Sequence, residues 1–268
     1  MKLFMQRIAD ALERMAPPKK VSAFDKGDVF TFNETGKVFE PVTSFNYVPF
    51  EYLIGIDRQK SIMLENTERF LEGKRANNAL LWGARGCGKS SLIKAVFQKA
   101  NEMAKTKACL LGIRKNDLKY LDEVIKMLEG HSRKFIIYCD DLCFDENDKD
   151  VFRYLKTMLD GGLNAMPDNV ILYATSNRRH LIKGGRRDDD AIGAKEDTDE
   201  GVALSDRFGL WIGFHEINQD EYLQIVDGYV KMFGLDVKKE EYVPKALEWS
   251  VTRGARSGRV AYQFAKSL

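Results

Sequence analysis

The segment from Ala79 to Ser91 changes abruptly from apolar residues to closely spaced glycines. It reads ALLWGARGCGKSS and contains the pattern G-x-x-x-x-G-K-[ST]. In this pattern the glycines let backbone N–H groups approach the phosphates of a nucleotide, and the helix that follows adds its positive end. The sequence therefore predicts a loop that binds the phosphates of ATP together with Mg²⁺.

Each position of this phosphate loop has a predicted role. Lys89 is predicted to reach the β- and γ-phosphates as a catalytic residue, and the Ser90 hydroxyl is predicted to bind Mg²⁺. A chance glycine turn is the alternative, but an apolar segment precedes the loop and a segment of helical period follows it, as this motif requires. The predicted nucleotide-binding residues of the loop are Gly83, Ala84, Arg85, Gly86, Cys87, Gly88, Lys89, Ser90 and Ser91.

Two aspartates follow a second apolar run, in the segment FIIYCDDL. A phosphate loop needs an acidic partner for its metal at the end of a neighbouring strand, so Asp140 is predicted to hold Mg²⁺ and Asp141 to polarise the attacking water. Two ordinary surface acids at a strand end are the alternative. Because Asp141 has a shorter reach than the glutamate of many vigorous ATPases, slow turnover is expected.

Further polar candidates follow the later apolar runs. NVILYATSNRR ends with Asn177, which is predicted to orient the same water or contact the γ-phosphate, and Thr175 is a weaker candidate for this role. Asn177 alone is equally typical of a simple turn. Arg207, Arg256 and Arg259 are candidates for stabilising the charge on a transferring phosphoryl group, since guanidinium binds phosphate oxygens well. A solvated surface arginine is the alternative for each.

Five apolar runs must position these side chains: ALLWGA, ACLLGI, KFIIYC, NVILYA and GLWIGF. Continuous apolar runs are typical of strands buried on both faces, and the first four are followed or separated by segments of helical period. This alternation predicts an α/β fold built on a parallel sheet. Upstream, DVFTFNETGKVFEPV predicts a hairpin or a loose strand pair that turns between Asn33 and Gly36.

The chain is predicted to have three parts. Residues 1–49 contain an amphipathic helix and an extended segment, residues 50–217 form the nucleotide-binding core, and residues 218–268 form a small C-terminal helical domain. Within the core, residues 183–203 are dense in charge and glycine with little to bury, so a mobile insertion is expected there.

Charge and cysteine content bear on the partners and the compartment. The 42 Lys and Arg nearly balance the 40 Asp and Glu, so the net charge leaves nucleic acid an open but unsupported partner. The four cysteines are too few and too irregular for a disulfide framework, and the N-terminus lacks the apolar core of a signal peptide. No apolar run approaches the roughly 20 residues that cross a bilayer. A cytoplasmic protein without membrane contact is expected.

The order of these motifs resembles that of AAA+ ATPases, from about Phe50 to the end of the chain. More closely, NNALLWGARGCGKSSLIKAV, YCDDLCFDENDKDVFRYLKTMLDGG, YATSNRRHL and LSDRFGLWIGFHEINQDEYL are similar to an uncharacterised bacterial family of AAA+-like ATPases, known chiefly as a domain of unknown function. SDRFGLWIGF also resembles the finger region of replication-initiator ATPases of the DnaA type.

The resemblance implies further features of fold and site. It implies a five-stranded parallel sheet with the phosphate-loop strand at its centre, and a helical lid formed by the C-terminal helices. It assigns Ile54 and Ile56 to contact with the adenine and Asn177 to the position called sensor 1. Arg259 takes the lid position called sensor 2, with Arg256 as the alternative.

Catalysis between subunits is also implied by the resemblance. Arg207 is the expected arginine finger and acts in trans on the ATP of the next copy in a homo-oligomer. Together the motifs predict an ATP-binding and ATP-hydrolysing molecular switch that acts on a macromolecular partner. The alternative is a nucleotide-dependent, DNA-associated loader or initiator, although the near-neutral charge and the lack of a recognisable helix-turn-helix after the lid weigh against it. A small-molecule kinase leaves Asn177, Arg207 and the helical tail together unexplained.

Overall fold

The computed structural model describes most of the chain. The described residues are 5, 22, 24–145, 148–161, 166–179, 181 and 204–268. The predicted N-terminal amphipathic helix, apart from one residue, and the charged insertion at 183–203 lie outside the described residues. The phosphate loop and the polar strand ends all lie within them.

Seven strands form one sheet. They are β1 (Val29–Asn33), β2 (Val38–Pro41), β3 (Ala79–Gly83), β4 (Ala108–Ile113), β5 (Lys134–Cys139), β6 (Val170–Ser176) and β7 (Leu210–Phe214). Their order across the sheet is β2-β1-β4-β5-β6-β3-β7, and only the β1–β2 pair is antiparallel. All five predicted apolar runs are strands of this sheet, and the predicted α/β class with mainly parallel pairing is confirmed.

The sheet is larger than the five strands that were expected. The N-terminal hairpin, β1 and β2, forms as the sequence predicts, but it also joins the main sheet because β1 pairs in parallel with β4, with Val29 opposite Leu110. Phe30 and Phe39 of the hairpin are buried in the same apolar cluster as Leu111. Burial of these aromatic side chains extends the sheet by two strands.

The position of the phosphate-loop strand also differs from the expectation. β3 lies between β6 and the edge strand β7 rather than at the centre of the sheet. Leu80 and Leu81 at its middle are nonetheless completely buried. Helices on both faces of the sheet, rather than a central place in the strand order, shield this strand from water.

Seven α-helices have both of their ends within the described residues, and 3-10 helices lie at Phe50–Tyr52 and Lys115–Tyr120. The α-helices are α1 (Asp57–Leu71), α2 (Lys89–Met103), α3 (Leu121–Leu128), α4 (Lys149–Leu159), α5 (Gln219–Met232), α6 (Lys239–Thr252) and α7 (Gly258–Ala265). None of the described helices is both long and apolar enough to cross a membrane.

Alternation along the strands divides the apolar interior into two layers. Leu80 packs into a cluster with residues of α3 and α4, whereas its neighbour Leu81 packs into a second cluster with residues of α1 and α2. A third cluster is built mainly from α5, α6 and α7 and includes Tyr222 and Phe264. The C-terminal helices therefore have an apolar core of their own beside the core of the sheet.

A buried hydroxyl on β6 ties the sheet to α1. The Tyr173 hydroxyl accepts a hydrogen bond from Asn66 Nδ2 at 3.0 Å and shares one with Thr67 Oγ1 at 2.8 Å. Thr67 Oγ1 also donates to the Met63 carbonyl at 2.7 Å, and Asn66 Nδ2 to the Asn77 carbonyl at 2.9 Å. Both partners of the tyrosine therefore keep another hydrogen bond when its hydroxyl is removed.

We expect Tyr173→Phe to lower the free energy of unfolding by about 1 to 2 kcal/mol, because buried hydrogen bonds are lost while the ring packing stays. Urea unfolding followed by circular dichroism measures the change. Tyr47→Phe, at an exposed tyrosine, is the control and should change the same free energy by less than about 0.5 kcal/mol. Equal effects of the two substitutions would contradict the proposed tie between β6 and α1.

Candidate functional site

The phosphate loop connects β3 to α2 and lies between β7 and the C-terminal helices. Gly83 has a φ of 139°, and a Cβ there would lie 2.2 Å from the Phe214 carbonyl oxygen. Gly86 has a φ of 80°, and a Cβ there would lie 2.8 Å from Ser257. Both positions therefore require glycine, for close approach as well as for backbone conformation. Between them and the helix, Cys87 is buried, and burial raises the pKa of its thiol, so the thiol stays protonated at neutral pH.

Lys89 opens α2 and points back across the loop. Its Nζ donates to the carbonyl oxygens of Gly83 and Ala84, each at 2.7 Å, and to Asn177 Oδ1 at 3.1 Å. The residue is only 6% exposed, and burial lowers the pKa of its ammonium while nearby negative groups, including Asp140, oppose the shift. A buried ammonium at the mouth of a glycine loop is well placed for a phosphate oxygen.

Asp140 follows β5 and receives two hydroxyl hydrogen bonds on one oxygen. Ser90 Oγ donates to Asp140 Oδ1 at 2.7 Å, and Thr175 Oγ1 donates to the same oxygen at 2.5 Å. Burial alone raises the pKa of Asp140, but the hydrogen bonds from Thr175 and Ser90 outweigh burial and lower it overall. The carboxylate is therefore charged at neutral pH and faces the first turn of α2.

Asp141 adopts an unusual backbone conformation, with a φ of 53°. Its backbone N–H donates to Thr175 Oγ1 at 3.0 Å, and its carboxylate oxygen Oδ1 accepts from Asn177 Nδ2 at 2.5 Å. The side-chain amide of Asn177 therefore links Asp141 to Lys89. Its nitrogen donates to the Asp141 carboxylate, and its oxygen accepts from the Lys89 ammonium. The polar residues predicted at the strand ends and in the loop therefore lie in one hydrogen-bonded network: Lys89, Ser90, Asp140, Asp141, Thr175 and Asn177.

Tyr138 is a residue of this region that the sequence did not single out. Its hydroxyl is buried beside Ser90 and Asp140. Burial raises the pKa of this phenol, and the neighbouring charge of Asp140 raises it further. A tyrosine near the end of an otherwise apolar run, FIIYC, was the available signal. A buried hydroxyl beside Asp140 and Ser90 adds a polar group to the candidate metal site.

The residues fit Mg²⁺ rather than a metal held entirely by protein. Mg²⁺ usually binds one or two protein oxygens and takes its other ligands from phosphates and water. Ser90 Oγ and Asp140 supply such oxygens at the edge of the phosphate loop. No group of three or more His, Cys, Asp and Glu that could hold a metal occurs in the described part of the chain, as expected for this arrangement.

A cleft of about 850 Å³ extends from the phosphate loop to the C-terminal helices. Ile54 and Ile56, predicted to contact the base, both line it together with Tyr229 and Met232. A Cβ at Gly88 would lie 3.6 Å from Ile56 Cδ1, so this side chain reaches the base of the loop. The apolar part of the cleft therefore adjoins the polar part, as a nucleotide requires.

The last helix docks directly on the phosphate loop. The Gly258 N–H donates to the Gly86 carbonyl at 2.9 Å, and Ser257 caps the start of α7 by accepting from the Val260 N–H at 3.2 Å. Arg259 lines the cleft, whereas Arg256 donates to Gln219 Oε1 at 3.1 Å and lies outside the lining. Of the two lid arginines left open by the sequence, the structure brings Arg259 to the cleft.

Arg207 lies far from the cleft of its own chain. It precedes β7, whose first residue Leu210 pairs with Ala79 at the start of β3, so it lies at the sheet edge opposite the phosphate loop. Its Nε donates to Asp160 just after α4, and it does not line the cleft. The other predicted site residues line the cleft or belong to the phosphate loop beside it, except Arg256, so Arg207 and Arg256 are the two that a single chain does not bring there.

A phosphate loop at the carboxyl edge of a mainly parallel sheet, acids on a neighbouring strand and C-terminal helices over the loop define the fold of AAA+ P-loop ATPases. The chain belongs to the family described as "Protein of unknown function (DUF815)", whose model matches residues 25–268. A comparison with curated proteins gives no match.

Solved structures are similar to the chain in fold. The Aeropyrum pernix ORC1 protein in complex with DNA has a TM-score of 0.57 at 14% identity, over 80% of this chain and 61% of that chain. One variant of Thermotoga maritima RuvB has a TM-score of 0.50 at 15% identity, over 81% and 64%. Another RuvB variant has a TM-score of 0.48 at 12% identity, over 82% and 72%. At these identities the likeness to the first two structures concerns the fold, and it confirms the predicted class.

We expect Gly86→Ala to weaken ATP binding on the order of tenfold, which corresponds to about 1.4 kcal/mol. The added methyl group meets Ser257 and strains the hydrogen bond that docks α7 on the loop. Titration with a fluorescent ATP analogue measures the affinity.

Gly130→Ala is the matched control for this substitution. Gly130 has a φ of 71°, similar to that of Gly86, but nothing lies within 4 Å of a Cβ there. The control should lose about 1 kcal/mol of stability from backbone strain and keep its ATP affinity. A similar affinity for both variants would show that docking of α7 on Gly86 has no part in binding.

Proposed function

We propose that this protein is an AAA+-type molecular switch that binds and hydrolyses ATP and acts on a macromolecular partner. One observation carries the proposal: the side chains of Lys89, Asp141 and Asn177 are hydrogen-bonded to one another in series at the mouth of the phosphate loop. Ser90 and Asp140 lie beside them as the candidate metal ligands. This arrangement matches the parts that phosphoryl transfer needs.

Each residue has a role that follows from its place. The loop N–H groups and Lys89 bind the β- and γ-phosphates, and Lys89 exchanges its loop carbonyl partners for phosphate oxygens. Ser90 and Asp140 would hold Mg²⁺. When bound, this ion supplies positive charge that neutralises the β- and γ-phosphate oxygens. Asp141 orients the attacking water as a base, and Asn177 holds Asp141 and contacts the γ-phosphate.

The part of the cleft between Ile54, Ile56 and the C-terminal helices supports ATP as the nucleotide. Ile54 and Ile56 provide an apolar surface for the adenine, and Arg259 at the start of α7 lines the same cleft as a candidate partner of the phosphates. Because α7 is joined to Gly86 by a backbone hydrogen bond, occupancy of the phosphate loop is coupled directly to the position of the C-terminal helices. This coupling is the physical basis of the proposed switch.

Assembly with itself is part of the proposal. Arg207 lies at the sheet edge opposite the phosphate loop of its own chain, so a role in catalysis requires the loop of another copy. Its ion pair with Asp160 holds the guanidinium at the surface end of α4. We infer a homo-oligomer in which Arg207 acts in trans on the neighbouring ATP.

DNA is the second candidate partner. The similar Aeropyrum pernix ORC1 protein was solved in complex with DNA, and this is the observation that favours it. The likeness concerns the fold, and the net charge of +2 adds no support from electrostatics. The client of the proposed switch is therefore left as a macromolecule of unspecified class.

We expect Lys89→Ala to reduce ATP binding and turnover at least about 100-fold, because the variant loses the ammonium that contacts the phosphates. Lys89 is the only buried lysine among the described residues. Lys99→Ala is the matched control, because Lys99 lies on the same helix, is partly exposed and pairs with Glu51 at 3.7 Å. Phosphate release and nucleotide titration should be normal in the control. Unchanged turnover in Lys89→Ala would end the proposal of an ATPase site at this loop.

We expect Arg207→Ala to bind ATP normally and to lose on the order of 10³-fold in turnover, the effect of removing an arginine finger. Asp141→Asn should also bind ATP and be inactive, because it loses the carboxylate proposed to orient the attacking water. Mixed together, the two variants should recover activity, because about a quarter of interfaces in an equal random mixture combine an intact Asp141 with an intact Arg207. A mixture as inactive as its components would contradict catalysis in trans.

A further inference from the structure

Thr175 ends β6 directly beside the two aspartates. Strand register pairs Cys139 with Ala174, so the next residues, Asp140 and Thr175, are also neighbours. Thr175 is only 2% exposed, and its Oγ1 donates to Asp140 Oδ1 at 2.5 Å while accepting from the Asp141 N–H at 3.0 Å. A hydroxyl has one hydrogen and two lone pairs, so it can make both contacts at the same time.

The backbone of Thr175 holds the same turn from its other side. The Leu142 N–H donates to the Thr175 carbonyl oxygen at 2.7 Å. Asp141, between the two contacts, has a left-handed φ of 53°, a conformation that is unfavourable for a residue with a side chain. Three hydrogen bonds to a single buried residue therefore hold the turn that carries both aspartates.

The other partners of the aspartates each contact one acid only. Ser90 donates to Asp140, and Asn177 donates to Asp141. In the proposed mechanism both partners also have another role: Ser90 binds the metal, and Asn177 contacts the γ-phosphate. Thr175 contacts both aspartate residues, the carboxylate of Asp140 and the backbone N–H of Asp141, and its one hydroxyl hydrogen is used in the first contact.

We propose that Thr175 is a positioning residue that fixes Asp140 for Mg²⁺ and Asp141 for the attacking water. This inference rests on the proposed ATPase function and adds a role that the phosphate-loop and strand-end motifs do not contain. The hydroxyl aligns the Asp140 carboxylate by binding one of its oxygens, and it holds the strained backbone that aims Asp141. Valine matches the shape of threonine and lacks both hydrogen bonds, so it isolates this role.

The test compares Thr175→Val with Thr175→Ser and with the wild-type protein. Binding of a fluorescent ATP analogue is titrated in EDTA and at increasing Mg²⁺, and single-turnover hydrolysis is measured in parallel. Thr175→Val should bind ATP normally in EDTA and need about 10- to 100-fold more Mg²⁺ for tight binding, the usual effect of losing a partner of a metal ligand. Its hydrolysis rate should fall with little change in KM. Thr175→Ser keeps the hydroxyl and should return both quantities to within about threefold of wild type.

Thr67→Val is the matched control. Thr67 is completely buried, and its hydroxyl bonds to the Met63 carbonyl and to Tyr173, away from the aspartates. This variant should lose stability and keep the wild-type Mg²⁺ dependence. If it shifts the Mg²⁺ dependence as far as Thr175→Val does, the effect comes from general loosening and the positioning role is overturned.

The outcomes separate this inference from the proposed function. Wild-type protein that binds no ATP in either condition would defeat the proposed function itself. Wild-type protein with Mg²⁺-dependent binding, and Thr175→Val with the same dependence and rate, would defeat only the role of Thr175. If circular dichroism shows that Thr175→Val is unfolded, Thr175→Ala takes its place in the same comparison with the same two outcomes.

Discussion

Parallel pairing of β5, β6 and β3 is the constraint on which the site depends. Because parallel strands end at the same edge of a sheet, the residues that follow them become neighbours although they are far apart in the chain. The register places Tyr138 opposite Tyr173 and Trp82 opposite Ser176. Asp140, Asn177 and the phosphate loop follow these positions, so the sheet alone brings the loop, the acids and the amide together.

Charged groups at this edge are held at the border of the apolar core, where unpaired charge is expensive. Lys89 and Asp140 are each satisfied by hydrogen bonds from or to several neighbours. Loss of one partner removes part of the compensation for a buried charge, so the site behaves as one unit. The C-terminal helices have their own apolar cluster and meet the loop through Gly86, which gives them a direct contact with the site without sharing its network.

Local signals in the sequence were sufficient to predict most strands of the sheet and the loop that follows β3. Five continuous apolar runs, the glycine loop and the polar strand ends are each contained within a few residues, and these predictions of strands are confirmed. The joining of the hairpin to β4 depends on Val29 and Leu110, which are far apart in sequence, so periodicity could not reveal it. The same limit applies to Tyr138, and to the contacts of Thr175 with the aspartates, because both depend on the neighbouring strand; the sequence named Thr175 only as a weaker candidate for orienting the water or contacting the γ-phosphate.

The sequence by itself determined the α/β class and named the glycine loop and the two aspartates as site candidates, because turn chemistry and buried-strand patterns are local properties. Only the tertiary structure decided that β3 lies beside the edge strand, that Arg259 rather than Arg256 faces the cleft, and that Arg207 points away from it. These outcomes depend on strand order, register and helix docking. Strand order, register and helix docking are set by the burial of strand and helix faces that are far apart in the chain. No short segment of the sequence therefore shows which faces pack together.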